Sequence, residues 1–227
     1  MAIAGLLLGG CRLQASTQLS RASLSFVYVG ESGEDGTMNQ LLHIENRSRT
    51  SAAPVLSLTA LDKSHRPLFQ VKVSTVYGSD RGDFVAPSGM SFDILRFSGP
   101  GEHDVADVSV TVESVAAARI PAGTQDVTAQ ALDHQGREIT RFERFSAVRL
   151  TNEDEIPVSA RIVYILWDQP ADGDTQQAVE VTPVGGLTTV PAHGTVVVSL
   201  TGDAVAAAAV ARNSYVSAVS LKAYNSQ

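Results

Sequence analysis

Beyond residue 21 the chain alternates apolar and polar positions with period two almost throughout, the spacing of strands that turn one face to a core. Asp107-Val108-Ser109-Val110-Thr111-Val112-Glu113 sets three valines on one side and its polar residues on the other. Leu56, Leu58 and Ala60 stand the same way against Ser57 and Thr59, and Val196, Val198 and Leu200 against Thr195 and Ser199. The run from Ile162 to Trp167 is apolar on both faces. That predicts a central strand covered on both sides, or one whose outer face meets a second domain. Turn signals punctuate these strands, among them Glu34-Asp35-Gly36, Gly78-Ser79-Asp80, Gly99-Pro100-Gly101, Gln135-Gly136 and Gly185-Gly186. Short strands at regular spacing with Gly/Pro turns predict an all-β sandwich or barrel, not a βαβ fold. One segment reads as a helix: Asp203 caps Ala204 to Arg212, with Arg212 favourable at the C-terminal end and Asn213 as the stop.

The halves of the pattern can be laid on each other. Leu42 to Asn46 matches Val148 to Asn152, and an apolar strand follows in each, ending at Asp62 and at Asp168. Next, Pro87-Ser88-Gly89 with Phe92 and Ile94 matches Pro191-Ala192-His193-Gly194 with Val196 and Val198, and Val108 to Val110 matches Val219 to Leu221. The separations are 106 residues (46 to 152), 104 (87 to 191) and 111 (108 to 219), and the predicted helix fills the last jump. A shared order of Asn, strand-Asp, Pro-Gly and closing strand predicts a duplicated module. The expected organisation is therefore β-sandwich domain 1 over 22–115, a short linker over 116–123, and β-sandwich domain 2 over 124–227 with the helix inserted. That linker is too short for the two to tumble independently.

On those residues, the Asn after a strand, the strand ending in Asp, the Pro-Gly turn and the final alternating strand, the chain resembles the immunoglobulin-like modules of secreted bacterial lipoproteins, including the FxLYD type. The resemblance covers most of 22–227 and implies two tandem immunoglobulin-like sandwiches of about seven strands each. It implies no activity.

The amino terminus carries a second signal. Ile3 to Leu8 is an apolar run that meets Gly9-Gly10-Cys11 and turns polar at Arg12. Leu8-Gly9-Gly10-Cys11 resembles the lipobox of a bacterial lipoprotein signal, with Cys11 the lipidated residue and 12–21 a tether. No Lys or Arg precedes the run, and a start upstream of Met1 would supply them. The competing reading is a short apolar element with a buried free cysteine. The expected address is the bacterial cell envelope, with lipid anchoring to a membrane surface.

Composition narrows the function classes. At 44% hydrophobic and 18% charged the chain can bury a core, and past the first ten residues no stretch nears the roughly 18 apolar residues of a spanning helix. The net charge of −7 repels a phosphate backbone unless basic residues gather on one face, and in sequence they are scattered. A single cysteine excludes an intramolecular disulfide and a thiolate cluster.

His43, His65, His103, His134 and His193 have none of the spacings of metal ligands and read as solvated loop residues. Gly30-Glu31-Ser32-Gly33-Glu34 lacks the last glycine of a nucleophile elbow and reads as a turn. Asp172-Gly173-Asp174 and Asn152-Glu153-Asp154-Glu155 lack the rhythm of a calcium loop, and Arg81-Gly82-Asp83 is ordinary turn chemistry. No catalytic, metal or cofactor residues are assigned.

Two functions fit. The first is a non-enzymatic envelope lipoprotein whose sandwiches bind another envelope or extracellular protein, or act structurally, through edge strands or end loops. The second is a small-ligand receptor or hydrolase with its site between the two domains. A concave pocket with at least two convergent titratable groups would favour the second.

Overall fold

The computed structural model describes residues 21–30, 40–118, 120–121, 124–140, 145–169, 176–210 and 218–227. Residues 1–11 with Cys11, the tether to residue 20, residues 31–34 and 35–36 of the turn signals, Asp172-Gly173-Asp174, Arg212 and Asn213 lie outside the described residues.

The fold is all-β, and the described residues hold one α-helix. In the first half, β1 (Leu24–Val29), β2 (Leu41–Asn46), β3 (Ala52–Leu61), β4 (Lys72–Thr75), β5 (Gly89–Ser98) and β6 (Asp107–Ala117) form a four-stranded sheet, β1-β2-β5-β4, and a β3-β6 pair. In the second, β7 (Thr128–Leu132), β8 (Ala147–Asn152), β9 (Val158–Trp167), β10 (Ala178–Pro183), β11 (Thr188–Val190), β12 (Gly194–Ser199), α1 (Asp203–Val210) and β13 (Ala218–Asn225) follow. There β12-β8-β7 forms one sheet, and β9 pairs with β13 on one edge and with β10 and β11 on the other.

The alternation fixes which face of each strand is buried. Leu42 and Ile44 of β2 turn inward and share a core with Leu56 and Ala60 of β3, Val108 of β6, and the partly buried Val110 and Val112. In the second half Val148 and Leu150 of β8 meet Ala160, Ile162, Tyr164 and Leu166 of β9, with Ala204, Ala207 and Ala208 of α1 packed beneath. The helix begins at Asp203 itself, one residue before the expected start at Ala204, and its acidic side chain still faces the positive end of the helix.

The same register recurs in both halves. β2 and β8 are each six residues, buried at alternate positions, and β3 and β9 are each ten residues. Asn46 opposes Gly89, and Asn152 opposes Gly194. Asn46 Nδ2 donates to the carbonyls of Thr50 (2.9 Å) and Ala86 (3.1 Å), and Asn152 Nδ2 donates to those of Ile156 (2.8 Å), Val190 (3.2 Å) and Pro191 (3.0 Å). Each Oδ1 accepts an N–H from two residues on, Ser48 or Asp154, at 3.0 Å. These amides tie the end of one sheet to the strand entering from across the sandwich, so burying them leaves few bonds unmade.

Four expectations are corrected. The sequence match of Phe92 with Val196 and of Ile94 with Val198 is one residue out of step, because Ser91 opposes Ile44 while Val196 opposes Leu150. Such a slip exchanges the faces of the whole strand. Phe92 therefore lies on the outer face, and Asp93 on the inner. The seam begins later than residue 116, since β6 runs through Ala117. Asp62 and Asp168 both end their strands but do different work. Asp62 closes a tight loop, accepting the N–H of Ser64 and Arg66 and the Arg66 guanidinium, and the same bonds recur at Asp133 with Gln135 and Arg137, at the end of β7. Finally, the two halves differ in one strand: β4 joins β5, whereas β10 and β11 both join β9.

β9 is the element that unites the halves. Its even-numbered residues enter the second core, while Val163, Ile165 and Trp167 belong to the first core with Ile94, Leu95 and Phe97. A strand apolar on both faces is thus covered on both faces, as the Ile162–Trp167 pattern predicted.

Candidate functional site

The halves meet along a seam built from β4, β5, the segment after β4, β9, β10 and β13. Apolar packing closes its floor, where the rings of Tyr77 and Tyr224 stack with centroids 4.6 Å apart. Backbone pairing extends across it: Val85 N–H donates to the Asn225 carbonyl at 3.2 Å, and Ser226 Oγ donates to the Asp83 carbonyl at 2.6 Å. Arg96, projecting from the outer face of β5, donates through Nε and Nη2 to the carbonyls of Ala178 and Val179, both at 2.7 Å. Two charge-assisted bonds to consecutive carbonyls fix that guanidinium firmly.

Above this floor a cleft of about 420 Å³ opens between the halves. Arg81, Asp83 and Arg96 reach it from the first half and Arg161 from the second, beside Thr75, Tyr224 and the apolar Val163, Val181 and Pro183. Arg81 binds Asp80 tightly (2.8 Å) and Asp83 at 3.6 Å, and Arg161 stands 3.7 Å from Asp83 and donates to Ser226 Oγ at 3.1 Å. Burial pushes the Tyr224 phenol up to about 12, so it stays protonated and available as a donor. Burial also pushes the Asp126 carboxyl up, against an opposing backbone bond from Asn225.

The residues singled out from sequence fall mostly elsewhere. Arg81-Gly82-Asp83 lies in the seam, where the Asp83 carboxylate faces Arg161 and the Asp83 carbonyl accepts Ser226 Oγ of the second half. Asn152 is turned inward, and Asp154 Oδ2 accepts the Gln125 N–H at 3.0 Å, so this acidic loop anchors the start of the second half. His43 lies on the outer face of β2 between Val27 and Phe92. His65 and His193 take left-handed backbone conformations (φ 57° and 46°) in tight loops, and His103 and His134 occupy turns. Among the described residues no three His, Cys, Asp or Glu side chains stand close enough to hold a metal ion, and no helix is long and apolar enough to cross a membrane.

Sequence reading missed the arginine cluster. Positions 81, 96 and 161 share no spacing signal, and only the docking of β9 on β5 brings them together. No protein-family model, no curated protein and no solved structure matches the chain.

Proposed function

We propose that the protein is a non-enzymatic lipoprotein of the bacterial cell envelope, made of two copies of an immunoglobulin-like sandwich and serving as a binding or structural module for another envelope or extracellular protein. The observation that carries it is the apolar layer shared through β9, which sets the two sandwiches in one fixed arrangement and presents their end loops on a stiff scaffold. The order β1-β2-β5-β4 against β3-β6 supports the immunoglobulin-like reading, because it is that of the constant-type sandwich without its last strand.

Duplication has its own test. Asn46→Ala and Asn152→Ala each strip buried carbonyls of a donor, and each should lower unfolding free energy by about 1–3 kcal/mol. Chemical denaturation of the two variants should give similar losses; a loss at one position alone would argue against equivalent roles.

The address rests on Cys11. Each buried acyl methylene contributes about 0.8 kcal/mol, so a multiply acylated Cys11 holds the protein at a membrane. Cys11→Ala, expressed in a bacterial host, should move the protein from the membrane to the soluble fraction while leaving its denaturation midpoint unchanged. Mass spectrometry of the wild-type amino terminus should find acylated Cys11, and a soluble wild type with an unmodified thiol would refute lipidation.

A second reading, a receptor for a small ligand bound between the domains, is favoured by the seam cleft. It is concave, and four charged groups from both halves converge on it.

A further inference from the structure

We infer that the seam cleft binds a small organic anion, with Arg81, Arg96 and Arg161 holding a carboxylate or phosphate head and Val163, Val181 and Pro183 taking an apolar body. The inference rests on the receptor reading and adds the chemical class of the ligand.

Charge is the first argument. The chain as a whole carries −7, yet three arginines and one aspartate line this cleft. Asp80 neutralises part of Arg81 without lining the cleft, and the remainder is still positive. Arginines with no surplus anion to face would repel one another, which a bound anion relieves.

Geometry is the second. Asp83 sits between Arg81 and Arg161 at 3.6 and 3.7 Å, well beyond the roughly 2.7–2.9 Å of a close charge-assisted bond. It holds the two guanidiniums apart and in place without saturating them. Arg96 is immobilised through Nε and Nη2 on the second half, so its remaining nitrogen, Nη1, is positioned in advance. Pre-positioned planar donors suit a carboxylate or phosphate, and Arg161, with 36% of its side chain exposed, remains open to solvent.

Shape is the third. A volume of about 420 Å³ falls in the range of small-molecule sites, roughly 300–1,000 Å³, and its apolar wall leaves room for an uncharged body.

The test is calorimetric titration of the full chain with four probes of equal chain length: hexanoate, hexyl phosphate, hexanol and hexylamine. Hexanoate and hexyl phosphate should bind saturably, compete with each other and weaken with added salt, while hexylamine should not bind. Arg161→Gln should weaken hexanoate binding at least 10-fold. Asp83→Asn, which removes the competing carboxylate, should tighten it several-fold, a gain that mere damage to the fold cannot produce. Binding of hexylamine as strong as that of hexanoate, or weakening by both variants alike, would overturn the anion assignment. Saturable binding of hexanol without either anion would overturn it and leave the receptor reading standing. Binding of none of the four would overturn both.

Discussion

Trp167→Ala should destabilise the protein by about 3–5 kcal/mol, the cost typical of removing a buried indole. Trp167 is 1% exposed at the end of β9 and belongs to the core of the first half although it lies in the second. Its Nε1–H donates to Ser220 Oγ on β13 at 2.9 Å, so the ring is fixed at its polar end as well as packed along its faces. Truncation opens a cavity between the halves and leaves a hydroxyl without its donor. Since domains are stable by only about 5–15 kcal/mol, a large fraction of the total is at stake. Guanidinium unfolding followed by circular dichroism measures the loss, and Trp167→Phe, which keeps a ring, should lose less. The chain has one tryptophan, so wild-type fluorescence reports this site alone and should be that of a water-excluded indole. An unchanged denaturation midpoint in Trp167→Ala would contradict the shared layer.

What was legible in the sequence was whatever a period of two can encode. The alternation of Val108, Val110 and Val112, the doubly apolar β9 and the paired asparagines all appear in the folded chain, because each depends on local spacing or on a backbone turn a few residues long. The recurrence of the Asp62 loop at Asp133 went unread, although Ala60-Leu61-Asp62 with Arg66 and Ala131-Leu132-Asp133 with Arg137 carry it, because 71 residues separate the two and not the 106 between Asn46 and Asn152. Register was less secure. Phe92 and Ile94 match Val196 and Val198 in sequence, yet the Asn46–Gly89 pair fixes β5 the other way round, and Ile94 is buried in the core that β9 shares. The arginine cleft was illegible, since it comes from packing between elements 65 residues apart at Arg96 and Arg161.

Asp93 shows how that reversed register is stabilised, and it yields the other large effect. The carboxylate is 0% exposed, opposite Leu42 on the inner face of the sheet. Oδ1 accepts the N–H of Tyr77 (2.7 Å) and Ile94 (2.7 Å), and Oδ2 that of Ser79 (3.0 Å), so one side chain pins the segment that crosses from β4 toward β3. Asp93→Leu would leave these buried donors unpaired and should cost at least about 3 kcal/mol, at roughly 1–3 kcal/mol for each unmade bond. Asp93→Asn should cost less, about 1–3 kcal/mol, because Oδ1 is kept while Nδ2 confronts the Ser79 N–H as a second donor. Burial pushes the Asp93 carboxyl above its ordinary value, and the backbone bonds from Tyr77, Ser79 and Ile94 oppose that rise. A group with a raised folded pKa binds its proton more tightly when folded, so its contribution is complete below the unfolded value of about 3.9 and is lost as pH rises through the folded value. Glu45, Asp62 and Asp133 are held below their ordinary values by hydrogen bonds from Arg47, Arg66 and Arg137, and their contributions run the other way, present above the unfolded value and lost as pH falls. Subtracting the Asp93→Asn curve from the wild-type curve cancels those three groups. The difference in unfolding free energy, measured from about pH 4 to about pH 8, should shrink as pH rises. A difference that stays level, or grows, would mean that the three N–H bonds outweigh burial and keep Asp93 ionised throughout.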